Sequence, residues 1–213
     1  MELTTDKKSE VERIFPTPIY KAHIGREISK KEKNTVEKYL SENELNNLTG
    51  LNMHSKDTYV LRDEAFDDLN KFLQYHIENF FYNVLHADSQ NKIYITQSWL
   101  NITTENQSHH NHEHPNSYIS GVFYFNTGDE DKIKFLSPVK YTQIQPKTLK
   151  LTEDNSGSWV IPVDTGLLIM FPSRLEHSVL NKKQNNQRIS MAFNTFIKGD
   201  LGDERGRTHL ILE

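Results

Sequence analysis

The apolar positions of this chain change period once, near residue 90. Between about residues 64 and 86, Phe66, Leu69, Leu73, Ile77, Phe80 and Val84 recur at steps of three and four. That period places them on one face of an amphipathic helix. Asp63 stands where an N-cap side chain would accept from free backbone N–H groups. A shorter helix is predicted upstream. Ser29-Lys30-Lys31-Glu32 has capping-box spacing, and Val36 and Leu40 supply an apolar face running to about residue 47. Residues 13–24 hold Pro16 and Pro18 among apolar residues. Proline has no donor for a sheet ladder, so this stretch reads as an edge strand or extended arm. Residues 1–12 read as a polar, frayed terminus, and 48–62 as irregular.

From residue 92 the pattern shortens to alternation. Candidate strands are 92–103, 117–126, 132–136, 158–163, 167–172, 177–180 and 187–197. Gly128-Asp129, Asn155-Ser156-Gly157 and Asp164-Thr165-Gly166 signal turns between them. Many short strands after a helical half predict a mainly β fold with packed helices (α+β), a sandwich or barrel with helices on one face. The expected organisation is one domain over 1–213: an N-terminal arm with supporting helices (1–90), a β core (91–198) and a tail (199–213). Leu210, Ile211 and Leu212 of the tail need somewhere to dock.

Composition narrows the classes. Only 35% of residues are hydrophobic, but 11 Phe, 9 Tyr and 2 Trp are enough to fill a core. A net charge of −4 gives no general attraction to nucleic acid or an anionic membrane. No apolar run reaches the roughly 18 residues of a membrane helix, and the first residues lack the apolar stretch of a secretory leader. Cysteine is absent, which removes disulfides, thiolate nucleophiles and Cys-type zinc sites. A cytoplasmic protein is expected, and a homodimer only as a base-rate guess.

The candidate chemistry lies in the histidines. Four of the ten fall within six residues: His109, His110, His112 and His114. They immediately precede a strongly alternating strand. The bland reading is a solvated polar loop. The sharper one starts from His112-Glu113-His114, whose i, i+2 spacing turns both rings to one side of an extended chain, where they can grip one metal. His110-x-His112 is a competing register. Most metals need a third protein ligand, and His177, where a loop re-enters a strand, is the candidate; the alternative is a core histidine. His23, His54, His76, His86 and His209 are scattered and read as structural or exposed. Arg188 follows eleven residues after His177. Alternation puts Arg188, Ser190, Ala192 and Asn194 on one face of a strand whose other face carries Ile189, Met191 and Phe193. An arginine with a neighbouring hydroxyl on such a face suggests an interior anion site, because a guanidinium forks onto a carboxylate. The alternative is a surface arginine on an edge strand.

Taken in order, four motifs resemble those of 2-oxoglutarate/Fe(II) oxygenases of the double-stranded β-helix (jelly-roll) superfamily, more narrowly a group common in bacteria and phages. They are Trp99-Leu100-Asn101; His114-Pro115-Asn116-Ser117 through Ser120-Gly121-Val122-Phe123-Tyr124; Phe171-Pro172-Ser173 through His177-Ser178-Val179; and Arg188-Ile189-Ser190 through Phe193-Asn194. Ile14-Phe15-Pro16-Thr17-Pro18-Ile19-Tyr20 also resembles how such chains begin, so the likeness spans about residues 13–197. It implies a jelly-roll core at 91–198, Fe(II) held by His112, His114 and His177, and 2-oxoglutarate as co-substrate. Arg188 and Ser190 would hold the far carboxylate, with Tyr124, Asn101 and Asn194 nearby. O2 would be consumed, an unknown substrate hydroxylated, and succinate and CO2 released. One departure matters: the superfamily usually presents His-x-Asp or His-x-Glu as its first ligand pair. Three histidines make a neutral donor set that also admits zinc or nickel, unless Glu113 bends in.

Two other classes stay open. A cupin-like metal-binding protein that does not use 2-oxoglutarate would also show His-x-His and a later His, yet residues 115–120 lack the Glu usual there, and Arg188-x-Ser190 is left unexplained. A non-catalytic accessory module would merely collect metal on its His-rich loop. The chain has no His-Glu-x-x-His, Gly-x-Ser-x-Gly or P-loop sequence, and no nucleic-acid motif. The substrate is not legible; the loops expected to set it are the N-terminal arm, 48–62 and 137–157.

Overall fold

The change of period near residue 90 is a change of secondary structure. The computed structural model describes residues 10–42, 45–46, 52–139, 144 and 146–213. Helix α1 spans Lys30–Glu42 and opens on the predicted capping box. The Glu32 N–H donates to Ser29 Oγ at 3.2 Å, and the Ser29 N–H donates back to the Glu32 carboxylate at 2.7 Å. The same carboxylate takes a fork from Arg26 at 2.7 and 2.8 Å. The helix was expected to reach about residue 47. It stops at Glu42, and Leu45–Asn46 forms a short strand, β2; residues 43, 44 and 47 lie outside the described ones, as do 1–9, 48–51 and 140–143 of the expected arm and loops. Asn43, Asn46 and Asn47 favour turns over a helix interior.

Burial alone would raise the Glu32 pKa, but the hydrogen bonds from Arg26 and Ser29 outweigh it and hold it below the usual carboxylate value. A folded pKa below the unfolded one gives stability that is full above the unfolded value of about 4.5 and lost as pH falls through the folded value. Glu32→Ala is therefore expected to cost about 1–3 kcal/mol at pH 7, from the lost cap and the stranded donors. Urea midpoints of the two proteins should draw together as pH falls below the usual carboxylate value. A constant gap would show that the charge of Glu32 contributes nothing.

The second helical segment divides into four pieces of three different pitches. Val60–Arg62 and Glu64–Phe66 are 3-10 turns, α2 runs Asp67–Glu78, and Asn79–Val84 is a π-helical turn. Asp63 accepts from the Ala65 N–H, capping the second short turn rather than α2. The wider π turn lets two adjacent rings, Phe80 and Phe81, both be buried. His76 on α2 bonds the Tyr20 hydroxyl at 2.8 Å and ties the helix to the first strand.

The other strands are β1 (Tyr20–His23), β3 (Met53–Ser55), β4 (Lys92–Thr103), β5 (His109–His112), β6 (Ile119–Asn126), β7 (Lys132–Leu136), β8 (Ser158–Pro162), β9 (Leu167–Pro172), β10 (His177–Val179), β11 (Arg188–Leu201) and β12 (Leu210–Leu212). They form two antiparallel sheets. The larger has the order β1-β9-β6-β11-β4-β3-β2, with β12 added on the far end of β11; the smaller has the order β5-β10-β7-β8. The proline-rich segment thus supplies an edge strand, and the tail leucines dock on Gly199–Leu201. Four strands had not been expected: β3, inside a stretch read as irregular, the two-residue β2, β5, where the histidine loop itself pairs, and β12 in the tail.

Alternation gives the larger sheet two different faces. Leu100, Phe123, Leu168, Met170, Met191 and Phe193 point to one side, where they pack with Leu69, Leu73 and Ile77 of α2 and with Phe80. On this side Phe193 covers Gly121, and a Cβ there would meet the ring at 2.2 Å, so the close approach requires glycine. The intervening residues face the smaller sheet. There Tyr124, Ile169 and Phe171 pack with Ile133 and Phe135 of β7 to make a second core. The inner face also carries the polar residues singled out in the sequence.

Candidate metal and anion site

Strand pairing builds the site. β11 lies between β4 and β6, with Ser190 opposite Asn101 on one side and Tyr124 on the other, and Arg188 opposite Thr103. Across the gap, β5 pairs with β10 so that His112 stands opposite His177. His114 follows β5 and is anchored by its N–H, which donates to the Ser173 carbonyl at 2.9 Å. One narrow cavity of about 40 Å³ is lined by His112, His114 and His177, by Arg188, Ser190, Tyr124 and Asn101, and also by Asn52, Trp99, Thr103 and His109. Eight of the sequence-selected positions were the metal and co-substrate candidates, and seven of them meet here. Asn194 is the eighth. It stands behind the site, where its side chain is near enough to His114 to raise that ring's pKa against the larger effect of burial.

The three rings are close, and the backbone sets the tautomers of two of them. His177 Nδ1 lies 2.9 Å from the Leu175 carbonyl, and His112 Nδ1 lies 2.9 Å from the His110 carbonyl. A carbonyl only accepts, so both Nδ1 atoms carry the proton and both Nε2 atoms present a lone pair. His114 Nε2 faces His177 Nε2 at 3.3 Å, with the rings stacked at 13°. The ligand nitrogens of all three lie within 4.8 Å of one another. Two nitrogens held about 2.1 Å from one ion at tetrahedral or octahedral angles stand about 3.0–3.4 Å apart. The His114–His177 pair already has that separation, so the donor set fits a first-row divalent ion.

Electrostatics favour the ligating form. Burial pushes His177 down to about 3 and His114 to about 4, and His112 is lowered for the same reason, with the neighbouring imidazoles adding to the effect at His177 and His114. All three rings are neutral at pH 7. Trp99 stacks on His114 at 5.7 Å and Phe171 lies 4.5 Å from His177, forming the apolar walls responsible for that desolvation. Glu113 is exposed and belongs to neither histidine group that could hold a metal. The second such group is His109, His110 and His112.

A buried polar network explains why the motifs read as they do. The Ser120 hydroxyl bonds Ser173 at 2.8 Å and donates to Asn194 Oδ1 at 2.9 Å, and Ser173 bonds Ser117 at 2.8 Å. Residues from three separate motifs therefore meet behind His114 and fix it from the rear.

Arg188 sits where the inner face ends. It is buried, and its guanidinium donates to Thr103 Oγ1 at 2.8 Å. Asp131 approaches it only to 3.6 Å, because both carboxylate oxygens are taken by buried Lys182 at 2.9 and 3.1 Å. Two buried cations thus share one carboxylate. Burial lowers the Arg188 pKa and raises that of Tyr124. Behind Arg188 lies a second cavity of about 320 Å³, lined by Asp131, Lys132, Lys182, Lys183 and Gln184 among others.

Asp131, Lys182, Thr103 and Asn52 had not been selected from the sequence. Asp131 lies beside a turn signal and Lys182 between Asn181 and Lys183, with no local pattern to mark either, and they meet across 51 residues. Asn52 is buried on the cavity wall, with Nδ2 3.5 Å from Asn101 Oδ1 and its own Oδ1 without a partner. It falls in a stretch without period, so no local signal marks it.

Comparison with known proteins agrees with this geometry. Residues 97–194 match a family model described as "Putative 2OG-Fe(II) oxygenase". No curated protein sequence matches the chain significantly. Among solved structures, the fold is similar to that of an oxidoreductase of the 2OG-Fe(II) oxygenase family from Burkholderia pseudomallei, with 13% identity, a TM-score of 0.52 and 78% of each chain covered. A prolyl-4-hydroxylase from Pseudomonas putida matches at 14% identity and a TM-score of 0.54, over 84% of this chain and 92% of the other. HygX from Streptomyces hygroscopicus, solved with nickel, 2-oxoglutarate and hygromycin B, matches at 11% identity and a TM-score of 0.51, over 84% and 82%. The chain thus has the fold of solved 2OG-Fe(II) oxygenases, and the stretch carrying its histidines and Arg188 matches the model of a family of that description.

Proposed function

We propose that this chain is an Fe(II)- and 2-oxoglutarate-dependent oxygenase of the hydroxylating type. On this reading its two sheets are the halves of a double-stranded β-helix, and residues 1–213 are one cytoplasmic domain. The observation that carries the reading is one cavity in which three imidazoles with bare or facing nitrogens share the wall with a buried arginine short of counter-charge. A buried surplus cation calls for an anion. The donor set calls for a metal, and 2-oxoglutarate satisfies both, since one end chelates and the other is a carboxylate. Metal and co-substrate together supply the oxidative chemistry, which yields succinate and CO2 and oxygenates a substrate C–H bond.

The residues have distinct tasks. His112, His114 and His177 would hold the ion. Arg188 and Ser190 receive the far carboxylate, with the Tyr124 hydroxyl beside them. Asn101, beside Ser190 on the same sheet, and Asn52 next to it line the adjoining wall, and Asn194 orients His114. Trp99 and Phe171 keep water from the rings. A cavity of about 40 Å³ has room for roughly one water, so the co-substrate must widen it. Arg188 is the wall with space behind it. The test is succinate release from 2-oxoglutarate in the presence of Fe(II) and O2, which proceeds slowly even without the true substrate. Absence of succinate from protein that binds iron would favour the cupin-like reading, which the carboxylate-free donor set also suits.

Lys182 should matter to this chemistry without touching the co-substrate. Its hold on Asp131 leaves Arg188 available. In Lys182→Met, Asp131 would turn to Arg188, and the KM for 2-oxoglutarate should rise about 10-fold, roughly one charge-assisted hydrogen bond. Adding Asp131→Asn should bring it back toward wild type. Initial rates of succinate formation measure this. An unchanged KM in the single variant would refute competition for Arg188.

A further inference from the structure

His109 and His110 are not used by the reading above, yet they belong to a second metal-competent group. Their ligand nitrogens and that of His112 lie within 4.8 Å of one another. The reason is a β-bulge. His112 pairs with His177 and His109 with Val179, so three residue steps on β5 run against two on β10. The extra residue breaks alternation, which would otherwise send His109 and His110 to opposite faces. His109 instead stacks on His112 at 4.2 Å, and His110 lies 5.0 Å from His109 and 5.3 Å from His112.

His112 is common to the two groups. Its Nδ1 is committed to the His110 carbonyl, so it has one nitrogen to offer, Nε2. One lone pair binds one ion, and the inner and outer groups cannot be filled together. The exposure is graded as well: His110 is exposed, His109 and His112 are half-buried, and His177 is buried.

We propose that His109, His110 and His112 form an outer capture site for a first-row divalent ion, which passes the ion to the inner group through the shared His112. The proposal rests on the inner triad being a metal site, and its consequence is kinetic. An ion stripping its hydration shell in steps gains ligands before losing them, so the outer residues speed entry and exit alike. They leave the inner equilibrium unchanged, because the end state does not contain them.

Co(II) is a suitable probe, since its visible bands report the coordinated ion directly. Metal-free His110→Ala should load Co(II) at least fivefold more slowly than wild type and release it to a chelator more slowly by the same factor. Its stoichiometry should stay at one and its affinity within twofold. His177→Ala, which breaks the inner group, should retain one weaker Co(II) that disappears in the His110→Ala/His177→Ala double variant. Wild-type loading and release rates in His110→Ala, or no residual site in His177→Ala, would overturn the relay. If His177→Ala instead binds as tightly as wild type, the inner triad itself fails, which is a different result. His110 is exposed, so its removal leaves the core intact.

Discussion

His177→Ala is expected to lower metal affinity by about 100-fold or more and to abolish succinate formation. Losing a partner one bond removed from a metal typically costs 10–100-fold, and losing one of three ligands should exceed that. Of the inner group two nitrogens would remain, His112 Nε2 and His114 Nε2, and neither that pair nor the more exposed outer group competes with water as well as three inner ligands do. The alternative role for His177, a satisfied core histidine, makes a different prediction. His177 is buried against Phe171 and hydrogen-bonded to the Leu175 carbonyl, so its removal leaves a void in either case. Thermal unfolding separates the roles. Wild type should gain stability when an excess of Ni(II) is added, by mass action on the folded state. The variant should lose that gain. If the variant unfolds earlier but keeps the full metal-dependent rise, His177 is structural only.

Arg188→Ala should raise the dissociation constant for 2-oxoglutarate by about 100-fold while leaving metal affinity nearly unchanged. The fork onto a carboxylate comprises two charge-assisted hydrogen bonds, each worth about 1.5–3 kcal/mol, and about 1.4 kcal/mol is tenfold. Part of that is offset, because the variant no longer buries an undercompensated cation. Arg188→Lys should recover only a fraction, since an ammonium cannot present two parallel donors. Isothermal titration of the metal-free protein with Ni(II), and then of the Ni(II)-loaded protein with 2-oxoglutarate, under argon, gives both constants. Retention of wild-type co-substrate affinity in Arg188→Ala would remove the anion site from the account.

Much of this was legible because it is local. The helix period, the capping box and the alternation in β4, β7 and β9 are written in neighbouring residues, and the bounds of those three strands agree with expectation, whereas both helices are shorter than their apolar period. The same alternation put Arg188, Ser190 and Asn194 on one face before any contact was known. What stayed hidden depends on distant partners. Lys182 and Asp131 form a buried pair that no local pattern distinguishes from surface charges. β5 was read as a loop because four histidines carry no apolar alternation, and its pairing is imposed by β10. Asn194 looked like a co-substrate residue. Its side-chain oxygen accepts from Ser120 Oγ, a partner 74 residues away that no local pattern announces.

The most direct measurement is a crystal structure with Ni(II) and an oxalyl analogue of 2-oxoglutarate, using the anomalous signal of the metal. The account predicts one strong peak about 2.1 Å from His112, His114 and His177 nitrogens, with the analogue's far carboxylate forked by Arg188 and bonded by Ser190. A peak held by His109 and His110 instead, or a carboxylate bound away from Arg188, would contradict it.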